Sequence, residues 1–128
     1  VLCDTIGVAN PAQVRSLSEK VLELAGEVPV ALHLHDTRGL GVANIYAGYE
    51  AGIRRFEASV GGLGGCPFAP GAAGNTAMED VIYLFESMGI STGISLDEYL
   101  KAVELIKQYI KPNLTGRMSF ACANASAP

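Results

Sequence analysis

The sequence predicts an α/β fold, the last part of an eight-stranded β/α barrel. Three strand–helix units follow one another along the 128 residues, which favours a parallel sheet with right-handed crossovers. The strands are too few and too apolar for a sheet with exposed edges, so we expect a piece of a larger body. Their polar residues lie at the carboxyl ends, where β/α barrels keep their functional residues.

The first unit is a strand followed by a capped helix. Val1 to Ile6 has the composition of a strand end, with Asp4 near its close. Asn10 and Pro11 are a helix cap and a first-turn proline, and Gly26 is a C-terminal stop. Between them, apolar residues recur at helical spacing: Val14, Leu17, Val21, Leu22 and Leu24.

The second unit contains the pair of histidines. Residues 28–35 are nearly all apolar, as in a strand that is buried on both faces. Successive strand residues alternate faces, so His33 and His35 share one side. A helix is predicted from about Leu40 to Ala51, before Gly52. Its apolar stripe is predicted to be Val42, Ile45, Tyr46 and Tyr49.

The third unit leads into a glycine-rich segment. Residues 54–60 form the predicted strand, and a helix is expected over 76–88, with Met78, Val81, Ile82 and Phe85 facing inward. Ser95 to Glu98 is a capping box that opens a last helix, ending near Ile110. The partial barrel domain is thus expected at 1–112, and 113–128 as a flexible tail.

Composition excludes several classes of function. Hydrophobic residues make up 49% and the net charge is −4, so the chain is globular and acidic. Without a basic stripe, nucleic acid is not expected as a partner. No apolar run reaches the roughly 18–20 residues of a membrane span. Three widely spaced cysteines do not form a disulfide framework, which favours a reducing compartment.

His33 and His35 are candidate metal ligands. Two residues along a strand span about 6.6 Å, so both imidazoles can approach one ion. The alternative is a pair of satisfied core or rim histidines. Asn75 closes the glycine-rich segment, where its amide oxygen can ligate a cation or cap the next helix. Histidine and amide ligands without thiolate spacing favour Mg²⁺ or Mn²⁺.

The glycine-rich segment, residues 61–75, carries Cys66. Its glycines and prolines predict neither a helix nor a ladder strand, because glycine loses much backbone entropy and proline lacks a donor. Glycines such as Gly64 and Gly65 let backbone approach another group closely. A thiol on such a loop is a candidate general acid or base. The alternatives are a tolerated surface thiol or a disulfide with another cysteine. The segment lacks the lysine and spacing of a nucleotide P-loop.

Three carboxylates are further candidates. Asp4 can handle a substrate proton or cap a turn. Asp36 can orient the site or cap the following helix, and the cap is preferred. Glu79 lies one helical turn past Asn75, where it supports the loop or is simply a first-turn acid.

Together these motifs resemble those of 3-hydroxy-3-methylglutaryl-CoA (HMG-CoA) lyases. The resemblance rests on residues 4–8, 33–37, Asn44, 61–70 and 74–75, and runs from Asp4 to about residue 110. The His-x-His-Asp-Thr element is shared with isopropylmalate synthases and biotin-dependent carboxyltransferases. The cysteine-bearing glycine segment is more specific to the lyases.

The resemblance implies strands six to eight of a TIM (β/α)₈ barrel that cleaves HMG-CoA to acetyl-CoA and acetoacetate with Mg²⁺ or Mn²⁺. It assigns the metal to His33, His35 and Asn75. It assigns catalysis to Cys66, Asp4 and His33. It also implies an acyl-CoA substrate and a homo-oligomer, a dimer.

The sequence departs from that family in two places. The Arg-Asp-Gly element of the family's first strand, with a further metal ligand, is absent, so we expect the chain alone to be inactive. The Cys-Lys-Leu ending of animal members is also absent, which favours a bacterial-type cytoplasmic protein. Three alternatives remain: a lyase for another 3-hydroxyacyl-CoA such as citramalyl-CoA, an isopropylmalate-type synthase, or a non-catalytic barrel fragment.

Overall fold

The computed structural model describes residues 1–65 and 74–125, and in them strands and helices alternate. The strands are β1 (Leu2–Asp4), β2 (Ala31–Leu34) and β3 (Arg55–Glu57). The helices are α1 (Pro11–Ala25), α2 (Gly41–Glu50), α3 (Met78–Ser87), α4 (Leu96–Tyr109) and α5 (Met118–Ala125), and a 3₁₀ turn spans Val60–Gly62. The strands form one parallel sheet in the order β1-β2-β3, which confirms the predicted α/β class.

The start and end of α1 are where the sequence predicts them. The Asn10 side chain accepts from the backbone N–H of Gln13, whose side chain accepts in return from the Asn10 N–H. Gly26 ends the helix. Leu17 and Leu24 are exposed, however, with 47% and 88% of their surface accessible. Both belong to the apolar residues that recur at helical spacing, so the packed stripe of α1 is narrower than its apolar pattern.

The core lies between the sheet and the helices. Leu32 and Leu34 of β2 are buried against Val14 of α1, Ile45 of α2 and Phe85 of α3. A Cβ on Gly48 would collide with the Leu32 side chain, so this glycine lets α2 approach the sheet. Tyr46, predicted as part of the apolar stripe of α2, is exposed, whereas Ile45 and Ala47 beside it are buried.

The glycine-rich segment departs from its prediction in two details. Its first residues, with Val60, form a 3₁₀ turn, although the segment was expected to contain no helix. Asn75 does not cap α3, because Ala77 occupies the cap position. Instead Asn75 forms an isolated antiparallel bridge with His35, just beyond the end of β2.

Residues 114–118 contact the glycine-rich segment and α3. Leu114 is buried, and the Thr115 N–H donates to the Gly61 carbonyl. Both carboxylate oxygens of Asp80 accept from the backbone of Arg117 and Met118 at the start of α5. The flexible tail that was predicted from residue 113 on therefore begins with residues that make long-range contacts. Within the described residues, no helix is long and apolar enough to cross a membrane.

Candidate metal-binding and catalytic site

The two histidines lie together on one face of the sheet. His33 is on β2, and His35 follows the strand. Their ring centroids are 5.4 Å apart. Only 7% of His35 is exposed, whereas the side chain of His33 is partly open and its Nδ1 lies 3.2 Å from Oε2 of Glu57. The alternation of the strand therefore brings the imidazoles to one place, as predicted.

Asn75 is joined to the same place through the backbone. Its bridge with His35 is reinforced by Thr76, whose N–H and hydroxyl both donate to the Leu34 carbonyl. His35 Nδ1 and Asn75 Oδ1 are buried and have no hydrogen-bond partner among the described residues. A buried polar atom without a partner is costly, and a bound cation is one way to satisfy it. This pair of atoms fits a metal centre.

The electrostatic surroundings of His35 suit a ligand. Burial lowers the pKa of His35, and the nearby His33 lowers it further, while Asp4 acts in the opposite direction. The imidazole therefore favours its neutral form, and a neutral imidazole has the lone pair that a metal requires.

The position of the Asn75 amide depends on a hydrogen bond to Leu63 and on close backbone packing at Gly64 and Gly74. Its Nδ2 donates to the Leu63 carbonyl oxygen at 2.8 Å. The same oxygen also accepts from the Ser59 hydroxyl at 2.6 Å. A Cβ on Gly64 would lie 2.6 Å from Asn75 Nδ2, and one on Gly74 would collide with the carbonyl oxygens of residues 62 and 64. The glycines thus allow a backbone approach that holds Asn75 with its Oδ1 free of protein partners in the described chain.

Part of the predicted site falls on residues that the structure does not describe. Cys66 lies outside the described residues, and Gly65 is the last residue described before it. Within the described ranges, His, Cys, Asp and Glu form no cluster of three or more that could hold a metal. The candidate set is therefore two histidines and one amide, which is incomplete for a divalent cation.

The Asp4 carboxylate caps a turn in this structure. Its two oxygens accept from the N–H groups of Val8 at 3.1 Å and Ala9 at 2.9 Å. The same turn is held by Arg38, which donates to Gly7, and by Asn44, which donates to Ala9. These contacts match the capping alternative, and a catalytic role for Asp4 remains a proposal.

Asp36 also acts as a cap. Its Oδ1 accepts from the N–H of Gly41, at the first residue of α2, at 2.6 Å. The Asp36 N–H donates to the carbonyl of Gly74. Asp36 therefore connects the end of β2 to both the next helix and the glycine-rich segment, although Leu40 and not Asp36 occupies the N-cap position of α2.

Glu79 supports the base of the glycine-rich segment. It is fully buried, and its Oε2 accepts from the Gly61 N–H at 2.9 Å. The Gly61 carbonyl accepts from Thr115, so both backbone groups of this residue are held. Burial raises the pKa of Glu79, and the Gly61 hydrogen bond opposes that rise. Of the two sequence interpretations, loop support has these direct contacts.

The raised pKa of Glu79 predicts a pH-dependent stability. The folded state binds the Glu79 proton more tightly than the unfolded state, whose pKa for this group is about 4.3. Protonation of Glu79 therefore stabilises the fold. This stabilisation is complete below the unfolded pKa and is lost as pH rises through the folded pKa. We expect wild type to lose free energy of unfolding relative to Glu79→Gln as pH rises, measured by urea titration at several pH values.

Glu86 provides a control of opposite sign. Hydrogen bonds from Thr92 lower the pKa of this exposed carboxyl, so its stabilisation is present above the unfolded pKa and lost as pH falls. The free energy of unfolding of wild type should therefore rise relative to that of Glu86→Gln as pH rises. A Glu79→Gln difference that stays constant over the range would contradict the assignment.

Sequence reasoning missed Glu57, Ser59 and Thr115. Glu57 is the one acid of β3 and sits opposite His33 in the register, but a register between strands cannot be read from one sequence. Ser59 and Thr115 act through carbonyl groups, and the contact of Thr115 joins residues 54 positions apart. Only the charge of Glu57 within a predicted strand offered a signal.

Comparison with known proteins shows the family of this chain. The profile of the HMGL-like family matches residues 1–106, most of the sequence. The chain belongs to the HMGL-like family. It is 46% identical to the hydroxymethylglutaryl-CoA lyase YngG of Bacillus subtilis over 91% of its own length, and 49% identical to (R)-citramalyl-CoA lyase of Chloroflexus aurantiacus over 80%. The resemblance to HMG-CoA lyases is thereby confirmed.

Solved structures of this family have the same fold. An HMG-CoA lyase from Acinetobacter baumannii, in complex with coenzyme A and 3-methylmalate, matches 99% of the chain with a TM-score of 0.90 and 42% identity. The Bacillus subtilis HMG-CoA lyase matches 95% with a TM-score of 0.88. The chain covers only 42% and 41% of those chains. It likewise spans 39% of the curated Bacillus relative and 32% of the Chloroflexus one.

Proposed function

We propose that this chain supplies strands six to eight of a TIM barrel that cleaves HMG-CoA to acetyl-CoA and acetoacetate. The observation that carries the proposal is the buried pair of atoms without protein partners, His35 Nδ1 and Asn75 Oδ1, among the described residues. They lie beside His33, at the carboxyl end of a parallel strand. Relatives that are named HMG-CoA lyases support the choice of reaction.

The proposed cation is Mg²⁺ or Mn²⁺, held by His33, His35 and Asn75. The amide oxygen of Asn75 is the type of donor that these ions prefer, and the lack of a thiolate in this set of three residues disfavours a structural zinc site. A further ligand is expected from the part of the barrel that precedes this chain. When bound, the cation supplies the Lewis acidity that lowers the pKa of the substrate's tertiary hydroxyl.

The side chains of this chain would then move protons. Asp4 is the candidate to accept the hydroxyl proton, because a carboxylate keeps further lone pairs beyond those that accept the N–H groups of Val8 and Ala9. His33 would take part in catalysis as a ligand, since its lone pair would be used by the cation. Loss of this proton breaks the carbon–carbon bond, so that acetoacetate forms and acetyl-CoA leaves as its enolate. Cys66 is proposed to protonate the enolate carbon, which completes acetyl-CoA.

A second candidate is cleavage of citramalyl-CoA. The 49% identity to the Chloroflexus enzyme favours keeping it. Both substrates are 3-hydroxyacyl-CoA thioesters, so the same metal site serves either one. An isopropylmalate-type synthase is a weaker alternative, because the cysteine-bearing glycine segment is what resembles the lyases. A non-catalytic fragment is the alternative from a different class. A cytoplasmic, dimeric full-length protein is also proposed.

The test requires the missing part of the barrel. We define the complemented protein as this chain joined behind the N-terminal part of the Bacillus subtilis relative. Supplied separately with HMG-CoA and citramalyl-CoA, each with Mg²⁺, it should release acetoacetate from the first thioester. Pyruvate from the second thioester alone would select the citramalyl-CoA reaction, and no product from either would support the non-catalytic alternative.

Cys66→Ser tests the proton donor within the same assay. A hydroxyl is a poorer acid than a thiol, so kcat is expected to fall about 100-fold or more, within the usual range for general acids. Cys122→Ser is the matched control, since Cys122 belongs to α5, outside the sheet that carries the histidines. An unchanged kcat in Cys66→Ser would remove this cysteine from the mechanism.

A further inference from the structure

Glu57 forms a row with two other side chains across the sheet. The register pairs His33 with Cys3 on β1 and with Glu57 on β3. Residues paired in this way point to the same face of the sheet. The contact that results joins His33 Nδ1 to Glu57 Oε2 at 3.2 Å. This is the face that also carries His35.

The chemistry of the contact determines the form of the histidine. An ionised carboxylate can only accept hydrogen bonds, so Nδ1 must carry the hydrogen in this pair. In the neutral imidazole the lone pair then resides on Nε2. Histidines that ligate metals nearly always donate their other ring N–H to a carboxylate, carbonyl or water, which fixes the tautomer and the ring orientation.

We propose that Glu57 is a positioning residue for His33. It holds the imidazole in the Nδ1–H tautomer and leaves Nε2 as the nitrogen that faces a cation. Glu57 itself touches neither the cation nor the substrate. The inference rests on the proposed function for the presence of a cation, but its first readout, the tautomer, does not depend on activity.

A purely structural role for Glu57 makes a different prediction. The side chains of His33 and Glu57 are 29% and 53% exposed in the described chain, and exposed ion pairs contribute only about 0–1 kcal/mol to stability. A packing role would therefore change the free energy of unfolding slightly, with no effect on metal affinity. A positioning role changes the tautomer and the affinity together.

The test uses the complemented protein with ¹⁵N-labelled histidine. The ¹⁵N shifts are measured without metal and report the tautomer of His33. Calorimetric titration with MnCl₂ then reports the affinity. In Glu57→Leu, the ¹⁵N shifts of His33 should move away from the Nδ1–H tautomer, and Mn²⁺ affinity measured by calorimetry should fall about 10–100-fold. Glu57→Gln keeps an acceptor oxygen and should retain most of the Nδ1–H form. Glu50→Leu removes an exposed glutamate from α2 and is the matched control.

Each outcome decides the inference. Glu57→Leu with the wild-type tautomer and wild-type Mn²⁺ affinity would overturn it. If the leucine variant fails to fold, Glu57→Asp decides, because the shorter side chain withdraws the acceptor and should lower affinity while preserving the charge. If the wild-type complemented protein binds Mn²⁺ and cleaves neither thioester, the proposed function fails, while the tautomer and affinity measurements still judge Glu57.

Discussion

Replacing His35 with alanine in the complemented protein is expected to remove Mn²⁺ binding and nearly all lyase activity. His35 is the more buried of the two proposed histidine ligands, and its Nδ1 has no hydrogen-bond partner in the described chain. Metal stabilisation of developing charge contributes several kcal/mol, so kcat/KM should fall about 100-fold or more. Calorimetric titration with Mn²⁺ and an acetoacetate assay measure the two effects.

The partner substitution, Asn75→Ala, should act in the same direction. It deletes the unpartnered Oδ1 and also the donor to the Leu63 carbonyl, so both affinity and the local loop conformation are affected. Asn113→Ala is the control, because Asn113 is an exposed asparagine. Thermal unfolding checks that each variant is folded. Wild-type Mn²⁺ affinity in both His35→Ala and Asn75→Ala would refute the proposed ligand set.

Gly74→Ala is expected to disrupt the site without removing any functional group. The new Cβ would collide with the carbonyl oxygens of Gly62 and Gly64, and backbone atoms cannot swing aside as the end of a side chain can. Overpacking of this kind costs about 1–3 kcal/mol of stability. The backbone shift would also displace the neighbouring Asn75 amide, so Mn²⁺ affinity should fall about 10-fold or more, as for other changes that misplace a ligand.

Gly93→Ala separates the effect of the collision from that of backbone strain. Gly93 has a φ of 72°, and a Cβ there would meet nothing within 4 Å. It should cost only about 1–2 kcal/mol for the left-handed conformation, with Mn²⁺ affinity unchanged. Equal affinities in the two variants would show that close packing at Gly74 does not position Asn75.

Features that depend on local sequence were predictable. The start of α1 follows from Asn10 and Pro11 because a cap and a first-turn proline act on neighbouring backbone groups. The common face of His33 and His35 follows from strand alternation alone. The parallel order of the sheet follows from the strand–helix alternation, since parallel neighbours need a crossover.

Features that depend on distant contacts were not predictable. Asn75 was open between ligand and helix cap, and its bridge to His35 joins residues that are far apart in sequence. Residues after Asn113 lack apolar periodicity, yet Leu114 is buried above Gly61, where a glycine leaves room for it. The partner of His33, Glu57, depends on the register between β2 and β3, which no single sequence reveals.

The most direct test of the metal centre is electron paramagnetic resonance of Mn²⁺ bound to the complemented protein with ¹⁵N-labelled histidine. His33 and His35 are the two histidines of the chain. If both ligate the ion, the electron spin echo envelope modulation spectrum should contain couplings between Mn²⁺ and ¹⁵N nuclei. These couplings should weaken when either histidine is replaced. A spectrum with couplings from water protons only, in a protein that binds Mn²⁺, would contradict the proposed centre.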